Sequence, residues 1–475
     1  MSRIDRIAGT LLGLAAGDAL GAGYEFQPDA LGPEGEAEMI GGGLGGFEPG
    51  EWTDDTSMAI CIAEETATGG AVDVEAVGDR FIDWLRDGPK DIGVSTSAVL
   101  ARAEHGADLP RAAAEYFEEH PKGAAGNGSL MRTAPVALAT LNRSIVDTAQ
   151  LARRVSDLTH GDPLAGDACA LWSVAIRIAI EEQRFDGLRD GLALIDGDRR
   201  DRWAGWIEQA ESEPPATFAP NGFVVPALQA AYAAIVQTPV PTDRPACLHL
   251  QDSLHNAVRI GHDTDTVTAI AGSLLGARWG GSAVPFRWQR QLHGWPGYDA
   301  QDLVRLAVLS GTDARGDTMG WPVADRMRLE GPPRAEPLPG DEWLVLGNLA
   351  DLEQLEETHP DIDAVVSLSR VGAQQRPAHV DEHVEVFLTD DGAPDRDPNV
   401  AFVIADTADA LATLRDEGKR VFLHCAAGAS RTPTVAAAYL VRHRGMEVDD
   451  AIETVGDVAP WSWANPTFRD ALAEL

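Results

Sequence analysis

Two short segments of this 475-residue chain put carboxylates and hydroxyls where apolar, helix-patterned runs begin. One is Trp52 Thr53 Asp54 Asp55 Thr56, ahead of Met58, Ala59, Ile60, Ile62 and Ala63; the other is Gly261 His262 Asp263 Thr264 Asp265 Thr266, ahead of Val267, Ile270, Ala271, Leu274 and Leu275. In mid-helix Asp263 and Asp265 would project about 200° apart, so converging on one ion requires the irregular geometry of a helix entrance. Oxygen donors suit hard cations, and Thr53, Asp54, Asp55, Asp263, Asp265 and Thr266 form such a set for Mg or Mn, with coordination positions left open. The competing reading is helix capping, because Asp and Thr are preferred for receiving the free amides of a first turn. A third segment, His424 Cys425 Ala426 Ala427 Gly428 Ala429 Ser430 Arg431 Thr432, lies between a strand-like run and a helix beginning near Pro433. Its amides and glycine can wrap a phosphate dianion between Cys425 and Arg431, and a helix start favours the thiolate.

The elements that must hold these groups differ between the two ends of the chain. Ile4, Ile7, Ala8, Leu11, Leu12, Leu14 and Ala15 recur at helical spacing and run into Gly17 Asp18 Ala19 Leu20 Gly21, then Glu25 and a glycine-rich loop from Gly41 to Gly46. Ala- and Leu-rich helical periods continue around 75 to 86, 96 to 103, 146 to 157, 165 to 181, 223 to 236 and 248 to 259, without convincing period-2 strands, so this part reads as all-α. Within it, Gly123 to Arg132 is a small-residue loop entering a helix, where close-approaching amides can cradle phosphate oxygens. Residues 328 to 340 are too proline-rich for a helix or a central strand and read as an interdomain linker. Beyond it, strand-like runs (343 to 346, 364 to 368, 384 to 388 and 421 to 423) alternate with helical ones, which implies an α/β domain.

Length favours at least two domains, and 44% hydrophobic residues are ample for their cores. The formal net charge of -37 repels nucleic acid and anionic membrane as general partners, while leaving room for a local basic pocket. Cys61, Cys169, Cys247 and Cys425 are far apart, with neither zinc spacing nor a disulfide framework, which fits a reducing cytosol. Residues 1 to 20 lack the pattern of a signal peptide, and no stretch has the uninterrupted apolar length of a membrane span.

Thr53-Asp54-Asp55-Thr56 and Gly261-His262-Asp263-Thr264-Asp265-Thr266, in this order, resemble the metal motifs of the ADP-ribosylglycohydrolase family. The opening helix with Glu25, the run Gly126 Asn127 Gly128 Ser129 Leu130 Met131 Arg132, and Leu158 Thr159 His160 Gly161 Asp162 Pro163 match that family too. The resemblance implies two divalent ions, Mg or Mn, on the six Thr and Asp residues. It further implies a role for Glu25 beside them, diphosphate binding by Gly126, Asn127, Gly128 and Ser129, and His160 near the bound nucleotide. The Cys-x5-Arg segment, with Leu346 Gly347 Asn348 Leu349 before it, resembles dual-specificity and tyrosine phosphatases. That implies no cofactor, Cys425 as nucleophile, Arg431 with Gly428 and Ser430 around the phosphate, and Asp390 as acid and then base, with Asp391 as its competitor.

The expectation is a multidomain cytosolic protein: an all-α ADP-ribosylglycohydrolase-like domain over 1 to 325, a Pro-rich linker over 326 to 340, and an α/β dual-specificity phosphatase-like domain over 341 to 475. Its partners would be an ADP-ribosylated protein or ADP-ribose derivative and a phosphorylated protein or small phosphate ester. Two rivals remain at this level: a hydrolase of a nucleotide metabolite on the same fold, and a reader that binds without turnover. No motif is shared across the linker, so both units are expected to keep working when it is cut near Pro337.

Overall fold

The computed structural model describes residues 2–27, 31–32, 35–316, 320–323, 332–390, 397–460 and 465–475. Among the helices of the N-terminal part, those bearing on the site are α1 (Arg3–Ala22), α2 (Asp54–Thr66), α3 (Pro163–Glu182), α4 (Val224–Val236), α5 (His249–Ile260), α6 (Thr264–Trp279) and α7 (Ala300–Gly311). Helix α1 starts at Ser2, whose side chain accepts from the Asp5 amide at 3.1 Å. It is buried along almost its whole length against α6.

That burial follows from a stripe of glycines. Gly9, Gly13, Gly17 and Gly21 fall four residues apart, hence on one helix face, and meet Gly272, Gly276 and Thr268 of α6 backbone to backbone. A Cβ on Gly13 would stand 2.3 Å from the Gly272 carbonyl oxygen, and one on Gly17 2.1 Å from that of Thr268. The close crossing brings the C-terminal end of α1, with Asp18 and the following Glu25, to the start of α6. Helix α3 is, among the described residues, long and apolar enough to cross a membrane by length and composition, although Asp167 and Arg177 interrupt it; 83% of its apolar window is buried, so that composition serves the helical core.

The second domain holds a five-stranded sheet in the order β1-β2-β5-β3-β4, from β1 (Glu336–Leu338), β2 (Asp341–Gly347), β3 (Ala364–Ser367), β4 (Glu382–Glu385) and β5 (Val421–His424). Strand β1 pairs antiparallel with β2, and the other pairings are parallel. Strands β3 and β5 are buried throughout, as the Val-rich runs of parallel strands require. Helix α8 (Val400–Asp416) packs against α9 (Arg431–Arg444), and the Cys425 loop joins the carboxyl end of β5 to α9. Part of the proline-rich stretch is thus strand: Pro337 lies in β1 at the sheet edge, where a residue without an amide hydrogen is tolerated.

The two domains share a packed interface. Asn399 is fully buried and donates from Nδ2 to the Trp279 carbonyl at 2.6 Å and to Ser282 Oγ at 2.7 Å. Ser282 in turn donates from its amide and hydroxyl to Asp5. Asp406 receives the Phe286 amide at 2.8 Å, and Arg290 bridges Glu382 and Glu417. A polar network of this kind is not what separable units need, and the expectation that each works alone must reckon with it.

Candidate active sites

The first site forms where the ends of α1, α2 and α6 meet. Thr53 is the N-cap of α2: its Oγ1 accepts from the Asp55 amide at 3.4 Å and donates to Asp55 Oδ2 at 3.2 Å. Thr266 Oγ1 reaches the same carboxylate at 3.4 Å, so Asp55 joins the two acidic segments. Asp263 occupies the N-cap of α6 yet makes no capping bond; its Oδ2 instead receives Asn127 Nδ2 at 2.8 Å. Capping therefore accounts for Thr53 and leaves Asp263 for something else. Carboxylate oxygens of Glu25, Asp263 and Asp265 all lie within 4.8 Å of one another.

Backbone geometry delivers Glu25 to this cluster. The next residue, Phe26, is left-handed at φ 49° and donates its amide to the His262 carbonyl at 2.7 Å, pinning the end of α1 to the second acidic segment. The Leu44 amide of the glycine-rich loop donates to Glu25 Oε2 at 3.2 Å. The sequence set Glu25 beside the metal motif; in the fold it is a member of the carboxylate cluster.

Glu25, Asp54, Asp55 and Asp265 crowd together beside Asp263, and burial penalises the charged forms of these four. Burial first, and then the charges of Asp263, Asp91 and Asp18, push Glu25 up to about 7. Asp54, Asp55 and Asp265 are held well above the usual carboxylate range, again by burial first and then by neighbouring carboxylates. Asp55 Oδ1 is buried without a hydrogen-bond partner. Among the described residues no arginine or lysine pairs with Glu25, Asp54, Asp55, Asp263 or Asp265. An all-oxygen, cation-free, partly unsatisfied set of this kind fits a hard divalent cation.

Residues that the sequence reading did not select hold the set in place. Asp18, fully buried, receives the Thr53 amide at 3.1 Å, the Thr56 amide at 3.0 Å and the Thr56 hydroxyl at 2.5 Å, fixing the start of α2. Its burial raises it to about 6 despite these bonds. Asn221 receives the Asp263 amide on Oδ1, donates from Nδ2 to the Gly261 carbonyl and takes Asn127 Nδ2 on its own carbonyl. The signal for Asp18 was its place among the spaced glycines; Asn221 offered none.

The Gly126 to Arg132 loop lies beside the acids through Asn127. Ser129 turns its hydroxyl inward, where it accepts from Ser156 Oγ at 3.0 Å and Cys169 Sγ at 3.4 Å, so only its backbone remains for a ligand. His160 lies under the loop: its Nδ1 is 2.8 Å from Thr159 Oγ1, and Cβ atoms on Gly126 and Gly128 would fall 3.4 and 3.2 Å from the ring. Burial, with Arg132 nearby, lowers it to about 3, so the ring is neutral and supports the loop from behind. Exposed Phe26, Leu44 and Phe223 rim this site, Phe223 bridging to Gly126.

The second site is fixed by register. His424 lies opposite Gly347 on β2 and Ser367 on β3. Ser367 Oγ is 2.6 Å from Nε2 of His424 and 2.7 Å from Nε2 of His383, a chain ending beside Cys425. Desolvation lowers His424 to about 3. Gly428 is left-handed at φ 67°, and a Cβ there would stand 2.9 Å from the Gly347 carbonyl, so glycine answers both demands. Arg431 is anchored by Nη1 donating to the carbonyls of Leu368 at 2.6 Å and Leu388 at 3.2 Å.

Asp390 comes to the same place. Its Oδ1 receives Ser430 Oγ at 3.0 Å and Asn465 Nδ2 at 2.9 Å, and its Oδ2 is 4.0 Å from Arg431 Nε. Asp391, the competing acid, lies outside the described residues. Asn465, far along the chain, was not foreseen.

Residues 1–317 match the family model described as ADP-ribosylglycohydrolase, and residues 344–475 match that of the dual specificity phosphatase catalytic domain. ADP-ribosylarginine hydrolase Tri1 of Serratia proteamaculans is 29% identical over 309 residues, 61% of this chain and 75% of its own length. The ADP-ribosyl-dinitrogen reductase glycohydrolase of Rhodospirillum rubrum is 30% identical over 296 residues, 61% of this chain and 90% of its own. The crystal structure of human DUSP28 is 26% identical, with a TM-score of 0.27, covering 31% of this chain and 95% of its own.

Proposed function

Because the chain belongs to the ADP-ribosylglycohydrolase family over residues 1–317 and carries a dual specificity phosphatase catalytic domain over 344–475, we propose that it is a bifunctional hydrolase. Its first activity is the metal-dependent release of ADP-ribose from a modified protein or small molecule, and its second is cysteine-dependent hydrolysis of phosphomonoesters. The observation that carries the first is the meeting of Glu25, Asp263 and Asp265 within 4.8 Å at a helix entrance where Asp263 makes no cap.

Thr53, Asp54, Asp55, Asp263, Asp265 and Thr266 would hold two divalent ions, Mg or Mn, which acidify water and grip ribose hydroxyls when bound. Asn127 orients Asp263, Asp18 fixes Thr53 and Thr56, and the amides of Gly126 to Ser129 face the diphosphate. Glu25, raised to about 7 by burial and the neighbouring carboxylates, would be returned to its carboxylate form by bound cations and would then take a proton from the attacking water. Positive charge that develops on the sugar is stabilised by the surrounding carboxylates. Phe26 and Phe223 at the rim offer flat apolar faces to the adenine.

In the second domain, Cys425 Sγ bonds to phosphorus as the ester P–O bond breaks, and Asp390 gives its proton to the leaving oxygen. Water then attacks the phosphocysteine, its proton passes to Asp390, and phosphate leaves with the thiolate restored. Arg431 and the loop amides hold the equatorial oxygens throughout.

The arginine linkage in the name of the Serratia relative makes ADP-ribosylarginine the first substrate to test, beside the serine-linked ester and free ADP-ribose derivatives. Release should require Mg²⁺ or Mn²⁺ and be lost in Asp263→Ala; turnover of that variant at the parental rate after full metal titration overturns the reading. Cys425→Ser should abolish hydrolysis of an aryl phosphate and leave release of ADP-ribose intact.

A further inference from the structure

Between the two domains lies a cavity of about 440 Å³ that neither activity uses. Its walls come from both sides of the interface: Phe286, Asp299 and Trp321 from the first, Arg370, Arg376 and Phe387 from the second. None of its lining residues belongs to the acidic cluster or to the Cys425 to Arg431 loop.

Its chemistry is unlike the rest of this strongly acidic molecule. Arg370 and Arg376 both face Glu385, at 3.4 and 4.0 Å, and share that single carboxylate between two guanidinium groups. Donors are left over: Arg370 Nη1 and Arg376 Nε and Nη2 are buried atoms without a hydrogen-bond partner. Buried donors in that state are costly, the more so on charged groups, so the cavity suits an acceptor-rich anion. Two planar forks converging on one volume match the several oxygens of a phosphate better than a single carboxylate does. The second feature is aromatic. Arg376 stacks 4.0 Å from the Trp321 ring centroid and Arg370 lies 5.0 Å from that of Phe387, with Phe286 completing an apolar wall. Flat walls of this kind take a planar ring. Asp299 and Asp381, also on the lining, offer acceptors to hydroxyl or amino groups. The volume suits one small molecule and leaves no room for an extended peptide.

We propose that this interdomain cavity is a third ligand site, which binds a nucleoside monophosphate with its phosphate on Arg370 and Arg376 and its base against Trp321 and Phe387. Both domains supply its walls, so the site exists only in the full chain.

Calorimetric titration of the full chain with AMP, in chelator to disable the metal-dependent site, tests it. The double variant Arg370→Gln/Arg376→Gln should bind one AMP fewer per chain, or bind it at least tenfold more weakly, while ADP-ribose release and aryl phosphate hydrolysis keep their kcat. Phe387→Leu, which keeps an apolar side chain, should weaken AMP by several-fold and leave inorganic phosphate at this site unchanged. AMP binding in the arginine double variant identical to the parent overturns the proposal. So does equal weakening of AMP and inorganic phosphate by Phe387→Leu, which would make this a plain anion hole. A phosphotyrosine peptide, included as the remaining arm, should not compete for the arginine-dependent site; competition assigns the cavity to peptide and overturns it as well.

Discussion

A carboxylate that must give up a proton and take one back has to stand where both the leaving oxygen and the incoming water pass, and Asp390 stands beside Ser430 and Arg431 at the edge of the Cys425 loop. Asn465 and Ser430 both donate to the same oxygen, Oδ1, so Oδ2 is the oxygen that would exchange the proton in the proposed reaction. Asp390→Asn preserves this packing and removes the transferable proton. Its rate should fall by about 10² to 10⁴-fold on alkyl phosphates and little on p-nitrophenyl phosphate, whose leaving group needs no protonation. Parallel measurements of kcat/KM on the two ester classes check this, and an equal loss on both would reassign Asp390 to positioning the loop. At the same scale, Thr53 and Asp263 show why residue type alone does not settle a role. Both occupy N-cap positions, but Thr53 caps and Asp263 does not, because Asn127 and Asn221 claim the carboxylate and amide of Asp263.

Among elements, the α1–α6 crossing matters most, because it sets the distance between Glu25 and the Asp263 segment. A Cβ on Gly272 would stand 2.0 Å from the Gly13 carbonyl oxygen, a backbone atom that cannot swing aside. Gly272→Ala should therefore force the helices apart and cost about 1 to 3 kcal/mol or more, with weaker metal affinity besides. Gly205 is the contrast. It is exposed within the helix Gly197–Ser212 and a Cβ there would meet nothing within 4 Å, so Gly205→Ala should stabilise by about 0.4 to 1 kcal/mol. Urea denaturation of the two variants, together with titration of Mg²⁺, separates the effect of close packing from that of backbone entropy.

For the whole molecule, the acid cluster couples stability to pH and metal. Asp18 and Glu25 rise from ordinary values of 3.8 and 4.5 to about 6 and 7, so the folded chain holds more protons than the unfolded one between those limits. The contribution of these two groups to stability then falls as pH rises from about 4 to 7, and Asp54, Asp55 and Asp265, also raised, act in the same direction. A bound cation favours the charged carboxylates and offsets the penalty. Melting in chelator at pH 5 and pH 8, repeated with Mg²⁺, should show metal stabilisation that is larger at pH 8; equal stabilisation at both would remove the cluster as its source. The domain interface gives the second expectation at this scale. Asn399→Ala removes the donor to the buried Trp279 carbonyl and leaves the Ser282 hydroxyl with only its bond to Asp5, so the full chain should lose about 1 to 3 kcal/mol. Differential scanning calorimetry should also show the two domains melting less cooperatively. Cleavage near Pro337 would cut strand β1 and not a free connector, so loss of phosphatase stability is the expected result.

Much of the two candidate sites was legible in the sequence because it resides in contiguous motifs. Thr53 to Thr56, Asp263 to Thr266 and Cys425 to Arg431 each depend on local spacing at the start of a helix, and the helical and alternating patterns announced an all-α part followed by an α/β part. Tertiary structure decided what depends on distant residues meeting. Asp18 reaches Thr53 and Thr56 only because a helix crossing is close, Asn221 joins two loops remote in sequence, and Asn465 reaches Asp390 from the last helix. It also turned Ser129 inward, set His160 behind its loop, and made Pro337 part of a strand. Local patterns report the energy of a segment with itself and with water. The packing of glycine against glycine, or of Arg290 against Glu382 and Glu417 across two domains, is an energy between segments, and no single stretch of the chain contains it.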